Sequence, residues 1–167
     1  GFLYLCGRAK DLIIRSGHNI DPELIEEVIN KHPGVSVSIA IGLPDPYAGE
    51  LPMAFVVKTP DSKLSELELI EYCQDTITER AAIPKRIEFI ESLPLTAVGK
   101  IFRPTLRQMI VKKVLQELLG NNGITGTVSA ILESKRGLVA KISLRDTTQL
   151  GQVKELVQNY IFPVDIS

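Results

Sequence analysis

The stretch LPLTAVGKIFRPTLR, residues 93–107, carries Gly99 and Lys100 at the end of a proline-and-threonine loop, just before an apolar pair and an arginine-flecked helix. A lone long cation on a loop could meet an anion, although a Gly-Lys dipeptide by itself also reads as a solvated loop lysine. Local capture matters here. With 19 Lys plus Arg against 20 Asp plus Glu the formal charge is −1, so no protein-wide field would draw in nucleic acid or an anionic membrane. Three further places hold candidate groups. GRAKD (7–11) sets Arg8 and Lys10 two apart in what reads as a turn. RSGHN (15–19) brings Ser16, Gly17 and His18 together, His18 reading equally well as a surface histidine at a helix entry. DPYAGELP (45–52) holds Asp45 and Glu50, whose spacing fixes no acid–base distance, so they read as groups that shape the loop. His18, His32, Cys6 and Cys73 are too scattered for a metal cluster or a disulfide framework.

These side chains need elements to hold them. FLYLC (2–6) and DLIIR (11–15) read as two short strands, or a strand and a turn. Asp21 as N-cap, Pro22 at the first helical position and Pro33-Gly34 as a stop punctuate a helix whose apolar face is Leu24, Ile25, Val28 and Ile29. VSVSIAIGL and MAFVVKT are strand-like. SELELIEYCQDTITERA predicts a helix with Leu67, Ile70, Cys73 and Ile77 inward and a Ser65–Glu68 capping box, and KRIEFIESL a further strand. This order implies an α+β fold, a small, largely antiparallel sheet with packed helices. RPTLRQMIVKKVLQELLG then predicts a helix with Leu106, Met109, Ile110, Val114 and Leu118 inward, ended by Gly120 and the Asn121–Gly123 cluster. The expected division is a domain over 1–120 and a short β-β-α-β extension over 121–167, docked on it through Val128, Ala130, Leu132, Val139 and Ile142 or their alternate partners. No apolar run approaches the roughly 20 residues that span a bilayer, and the start resembles no signal peptide. A cytoplasmic location is therefore expected, and the abrupt, Met-less start suggests a piece of a longer protein.

Three segments in register carry a resemblance: GRAKDLIIRSGHNIDPELIEEVI (7–29), GLPDPYAGELPMAFVV (42–57) and LPLTAVGKIFRPTLR (93–107). Together they are similar to the C-terminal domain of the adenylate-forming, AMP-dependent acyl-CoA synthetase/ligase superfamily. That resemblance implies a two-step acid–thiol ligase. A carboxylate attacks the α-phosphate of Mg-ATP to give an acyl-adenylate, and the thiol of coenzyme A then displaces AMP. It implies as partners an N-terminal adenylation domain of the same polypeptide, which would hold most of the ATP, the Mg2+ and the acyl group, and a small carboxylic acid. This chain would be a mobile lid, inactive alone.

The resemblance also implies roles. Lys100 is the catalytic cation, since a compact ammonium can follow charge moving around the α-phosphate; Arg8 and Lys100 bind ATP. Lys10 is the hinge about which the domain swings between poses. Ser16, Gly17 and His18 line the coenzyme A tunnel, Gly17 because a missing side chain lets the pantetheine arm pass. Arg8 and Lys10 otherwise read as turn cations. Arg103, Arg107, Lys112 and Lys113 are either a solvated face or a contact for the 3′-phosphate of coenzyme A. Two other readings stand beside the ligase lid: the lid of an amino-acid adenylation domain in a peptide-synthesis assembly line, and a stand-alone non-catalytic α+β binding module.

Overall fold

A computed structural model describes residues 11–167. Arg8, Lys10 and residues 2–6, expected as a strand, lie outside the described residues. The chain forms two compact units, one running to Leu43 and resuming over Glu50–Phe102, the other made of Pro44–Gly49 with Arg103–Ser167. Compactness does not decide where the family domain ends, so a boundary at residue 120 remains a proposal.

In the first unit, β1 (Ile13–Arg15) and β2 (His18–Ile20) pair antiparallel, with Ile13 opposite Ile20 and Arg15 opposite His18. Then come α1 (Pro22–Ile29), β3 (Val35–Asp45), β4 (Gly49–Lys58), α2 (Glu66–Thr76) and β5 (Arg86–Phe89). The sheet runs β2-β1-β4-β3, with β5 parallel to β4. The fold is α+β, small sheets with packed helices. Local chemistry sets the helices. Asp21 caps α1 by accepting from the Glu23 N–H at 3.0 Å, an interaction of roughly 1 kcal/mol. Ser65 and Glu68 satisfy each other's backbone donors in a capping box at the start of α2. Glu26 reaches from α1 to take the Ala40 N–H of β3 at 2.8 Å, tying the helix to the sheet.

Ile25 and Ile29 of α1 enter the core with Val28 beside them, while Leu24 remains 38% exposed. The α2 face also differs from expectation. Leu69 and Cys73 are buried with Ile77 just beyond, whereas Leu67 is 65% exposed. Sets beginning at 67 and at 69 share the end of the stripe and diverge by more than half a turn at its start.

The second unit opens on α3 (Arg103–Asn121), followed by β6 (Gly126–Glu133), β7 (Gly137–Leu144), α4 (Leu150–Val157) and β8 (Val164–Ile166). The strand order is β6-β7-β8, β6 antiparallel and β8 parallel to β7. α3 ends in a Schellman motif. Ile124 N–H returns to the Leu119 carbonyl at 2.9 Å and Gly123 N–H to Gly120 at 3.1 Å, with Gly123 at φ +68°. Leu119 and Ile124 thereby meet in a core with Val111, Leu115, Val128, Ala140, Ile142, Val153 and Val157. The buried stripe of α3 is Leu106, Ile110, Val111, Leu115 and Leu119; Met109 is 42% exposed, and Val114 and Leu118 are only half-buried. Of the residues expected to anchor the extension, Val128, Val139 and Ile142 are buried and Ala130 half-buried, but Leu132 is 48% exposed near the end of β6.

Arg136, in the β6–β7 turn, makes a paired contact with the Asp165 carboxylate of β8, both distances 2.8 Å, and also donates to Glu133. Its guanidinium holds both carboxyls below their ordinary range, chiefly by hydrogen bonding.

Candidate functional site

The Lys100 loop is built by its own backbone. After β5, Leu95 and Ile101 form an antiparallel bridge. Inside it the Thr96 N–H donates to the Lys100 carbonyl at 2.7 Å and the Gly99 N–H to the Thr96 carbonyl at 2.9 Å. The Lys100 N–H donates to Thr96 Oγ1 at 3.1 Å, so the hydroxyl makes a bond that alanine could not. Gly99 stands at φ +76°, where a side chain would be strained although space around it is open. A closed turn thus presents the exposed Lys100, and Leu95, Val98 and Phe102 lie 60%, 79% and 40% exposed around it.

Ser16, Gly17 and His18 are brought together at the tip of the β1–β2 hairpin. Ser16 (φ 49°) and Gly17 (φ +80°) are the two central residues of a tight turn in which both have positive φ. This gives Gly17 a purely local reason to be glycine. Ser16 carries the strain that asparagine or glycine would lower, of the order of 1 kcal/mol. Three contacts hold the hairpin. The Ile14 N–H donates to Glu50 Oε2 at 2.9 Å, Arg15 Nη1 to the Ala81 carbonyl at 2.9 Å, and His18 Nε2 bonds Glu79 Oε1 at 2.6 Å.

The two acids of DPYAGELP do separate structural work. Asp45 Oδ1 accepts from the Tyr47 and Ala48 N–H groups at 2.9 and 2.7 Å, closing the turn between β3 and β4. Glu50 is 8% exposed and its carboxyl lies against Gly42, where a Cβ would overlap it. Sequence reasoning missed Glu79 altogether and missed the burial of Glu50; a carboxylate in turn-rich text gives no signal of what it will accept. On α3, Arg103 and Arg107 are half-buried, and Lys112 and Lys113 exposed. Among the described residues no group of three or more His, Cys, Asp or Glu could hold a metal ion, and no helix is long and apolar enough to cross a membrane.

Comparison with known proteins agrees with this geometry. The family described as AMP-binding enzyme C-terminal domain matches residues 24–100, a range that ends on Lys100. Marinolic acid–CoA ligase of Pseudoalteromonas sp. is 48% identical over 119 residues, 71% of this chain and 18% of the relative. Among solved structures, a Mycobacterium tuberculosis fatty acyl CoA synthetase aligns with TM-score 0.58 and 41% identity, over 65% of this chain and 21% of its own. Apo MatB from Rhodopseudomonas palustris aligns at 0.59 and 34%, over 62% and 21%. The chain spans about a fifth of the length of these relatives. The motifs, the α+β fold and this match together make residues 24–100 an AMP-binding enzyme C-terminal domain, in a chain similar to acyl-CoA ligases.

Proposed function

We propose that this chain is the C-terminal lid of an AMP-forming acyl-CoA synthetase, which works with an N-terminal adenylation domain of the same polypeptide and is inactive alone. The observation that carries the reading is the Lys100 turn, an exposed ammonium on a loop closed by its own hydrogen bonds, at the end of the matched family range. Such a cation needs no rearrangement of its backbone to meet a phosphate oxygen, which is what electrostatic stabilisation of a transferring group requires. ATP and coenzyme A fit the residues present: Lys100 for the α-phosphate, and the hairpin tip of Ser16, Gly17 and His18 for the pantetheine arm. Mg2+ is assigned mainly to the N-terminal domain. Arg8 as an ATP contact and Lys10 as hinge remain proposals, as does a cytoplasmic location.

Assaying the two half-reactions apart in the full-length enzyme tests this. Lys100→Ala should slow acyl-adenylate formation by about 100- to 1,000-fold, the range for one lost donor to developing charge. Thioester formation from supplied adenylate should survive. Equal damage to both steps, or pyrophosphate release from ATP and a carboxylic acid by the 167-residue chain alone, sinks the reading.

A further inference from the structure

The tip of the β1–β2 hairpin is an energetically weak place in the fold. Its turn requires positive φ at both central positions, and the first of them is Ser16, at φ 49°, not the asparagine or glycine that such turns favour. β1 and β2 are each three residues long, so few ladder bonds offset that strain. Outside contacts hold the hairpin instead: Glu50 takes the Ile14 N–H further down β1, and the contacts to the strand ends at the tip come from one place. The short 3-10 turn over Arg80–Ala82 supplies the Ala81 carbonyl to Arg15, at 2.9 Å, and the residue leading into it, Glu79, takes His18, at 2.6 Å. Arg15 and His18 face each other across the last rung before the turn. The strand ends on both sides are therefore clamped to the same short segment, more than 60 residues later in the chain.

Glu79 does no capping work of its own, because its side chain makes no bond to the 3-10 turn that it precedes. We propose that Glu79 is a positioning residue for the thioester half-reaction, acting through His18 to hold Ser16, Gly17 and His18 in the arrangement that receives the pantetheine arm. This inference rests on the proposed function. It adds that the segment after α2, which no motif marked, sets the geometry of the thiol site while leaving adenylation untouched. The His18–Glu79 pair is solvent-accessible, with side chains 60% and 37% exposed, so the clamp is an adjustable one with a modest effect.

The test has two arms. In this chain, Glu79→Ala should speed amide hydrogen exchange at Gly17 and His18 while amides of α1 and β4 keep their rates. In the full-length enzyme, Glu79→Ala should raise KM for coenzyme A by about three- to fivefold, as expected for an exposed charge-assisted contact. It should leave the rate of adenylate formation and its KM for ATP unchanged. Glu79→Gln, which keeps an acceptor at the same reach, should restore most of the loss. Unchanged exchange at the tip, an unchanged KM for coenzyme A, or equal damage to both half-reactions overturns the proposal. A wild-type protein that makes no acyl-adenylate overturns the functional reading and with it the claim about the thioester step, while the exchange arm still decides whether Glu79 holds the tip.

Discussion

Glu50 and Gly42 form a matched pair. The carboxyl group is buried because a residue without a side chain leaves room for it, and from there it satisfies the backbone N–H of Ile14. Gly42→Ala should therefore do two kinds of damage, overpacking and displacement of the carboxylate from its donor. A loss of about 1–3 kcal/mol in denaturant titration is expected. Gly151→Ala, on the open side of α4 with nothing near the added methyl, should cause no loss. If Gly42→Ala is as harmless as Gly151→Ala, the seat of Glu50 is not tight. At this scale the sequence was legible where chemistry is local. Asp21 and the Ser65–Glu68 box announce caps because a cap needs only its own neighbours. Glu50 and Glu79 were illegible because their donors lie 36 and 61 residues away.

Elements show the same division. α1 was readable because Ile25, Val28 and Ile29 form one stripe, with only Leu24 at its margin left exposed. On α3, apolar side chains at 106, 109, 110, 111, 114, 115, 118 and 119 wrap more than one face, and periodicity alone does not choose the stripe through Val111, Leu115 and Leu119 that meets the C-terminal strands. β8 depends on charge as well as on pairing. Arg136 holds the Asp165 and Glu133 carboxyls below their ordinary values, so both favour the folded form above about pH 4, and that contribution disappears as pH falls through their lowered folded values. Corrected for intrinsic rates, the Ser167 N–H, which donates to the Ile142 carbonyl at 2.9 Å, should lose protection at pH 3 relative to pH 6. Arg136→Ala should shrink that difference, as should 1 M salt. The same acid sensitivity in the variant would count against the arginine.

On the scale of the whole molecule, the described residues include two apolar clusters, one around Ile13, Ile25, Ala54 and Leu69, the other around Leu115, Val128 and Ile142. The α+β class, the resemblance to the matched family and the elements from α1 onward were legible in the sequence, while the strand β2 and the sharing of α3's apolar face with strands further along the chain were not. Truncation after Gly123 removes β6–β8 and bares Val111, Leu115 and Leu119 to water. The shortened protein should melt lower, and amides of α3 beyond residue 110 should exchange faster. An unchanged melting temperature with α3 fully protected would refute the shared core. The parallel pairing of β7 with β8 has a further consequence, in the order of synthesis. β6 and β7 can zip together as soon as both leave the ribosome, because only a short turn separates them. The other edge of β7 must wait until α4 and then residues 164–166 have been made, leaving Ala140 and Ile142 open to mispairing in the interval. A nascent chain stalled before residue 164 should accordingly be the species that chaperones hold.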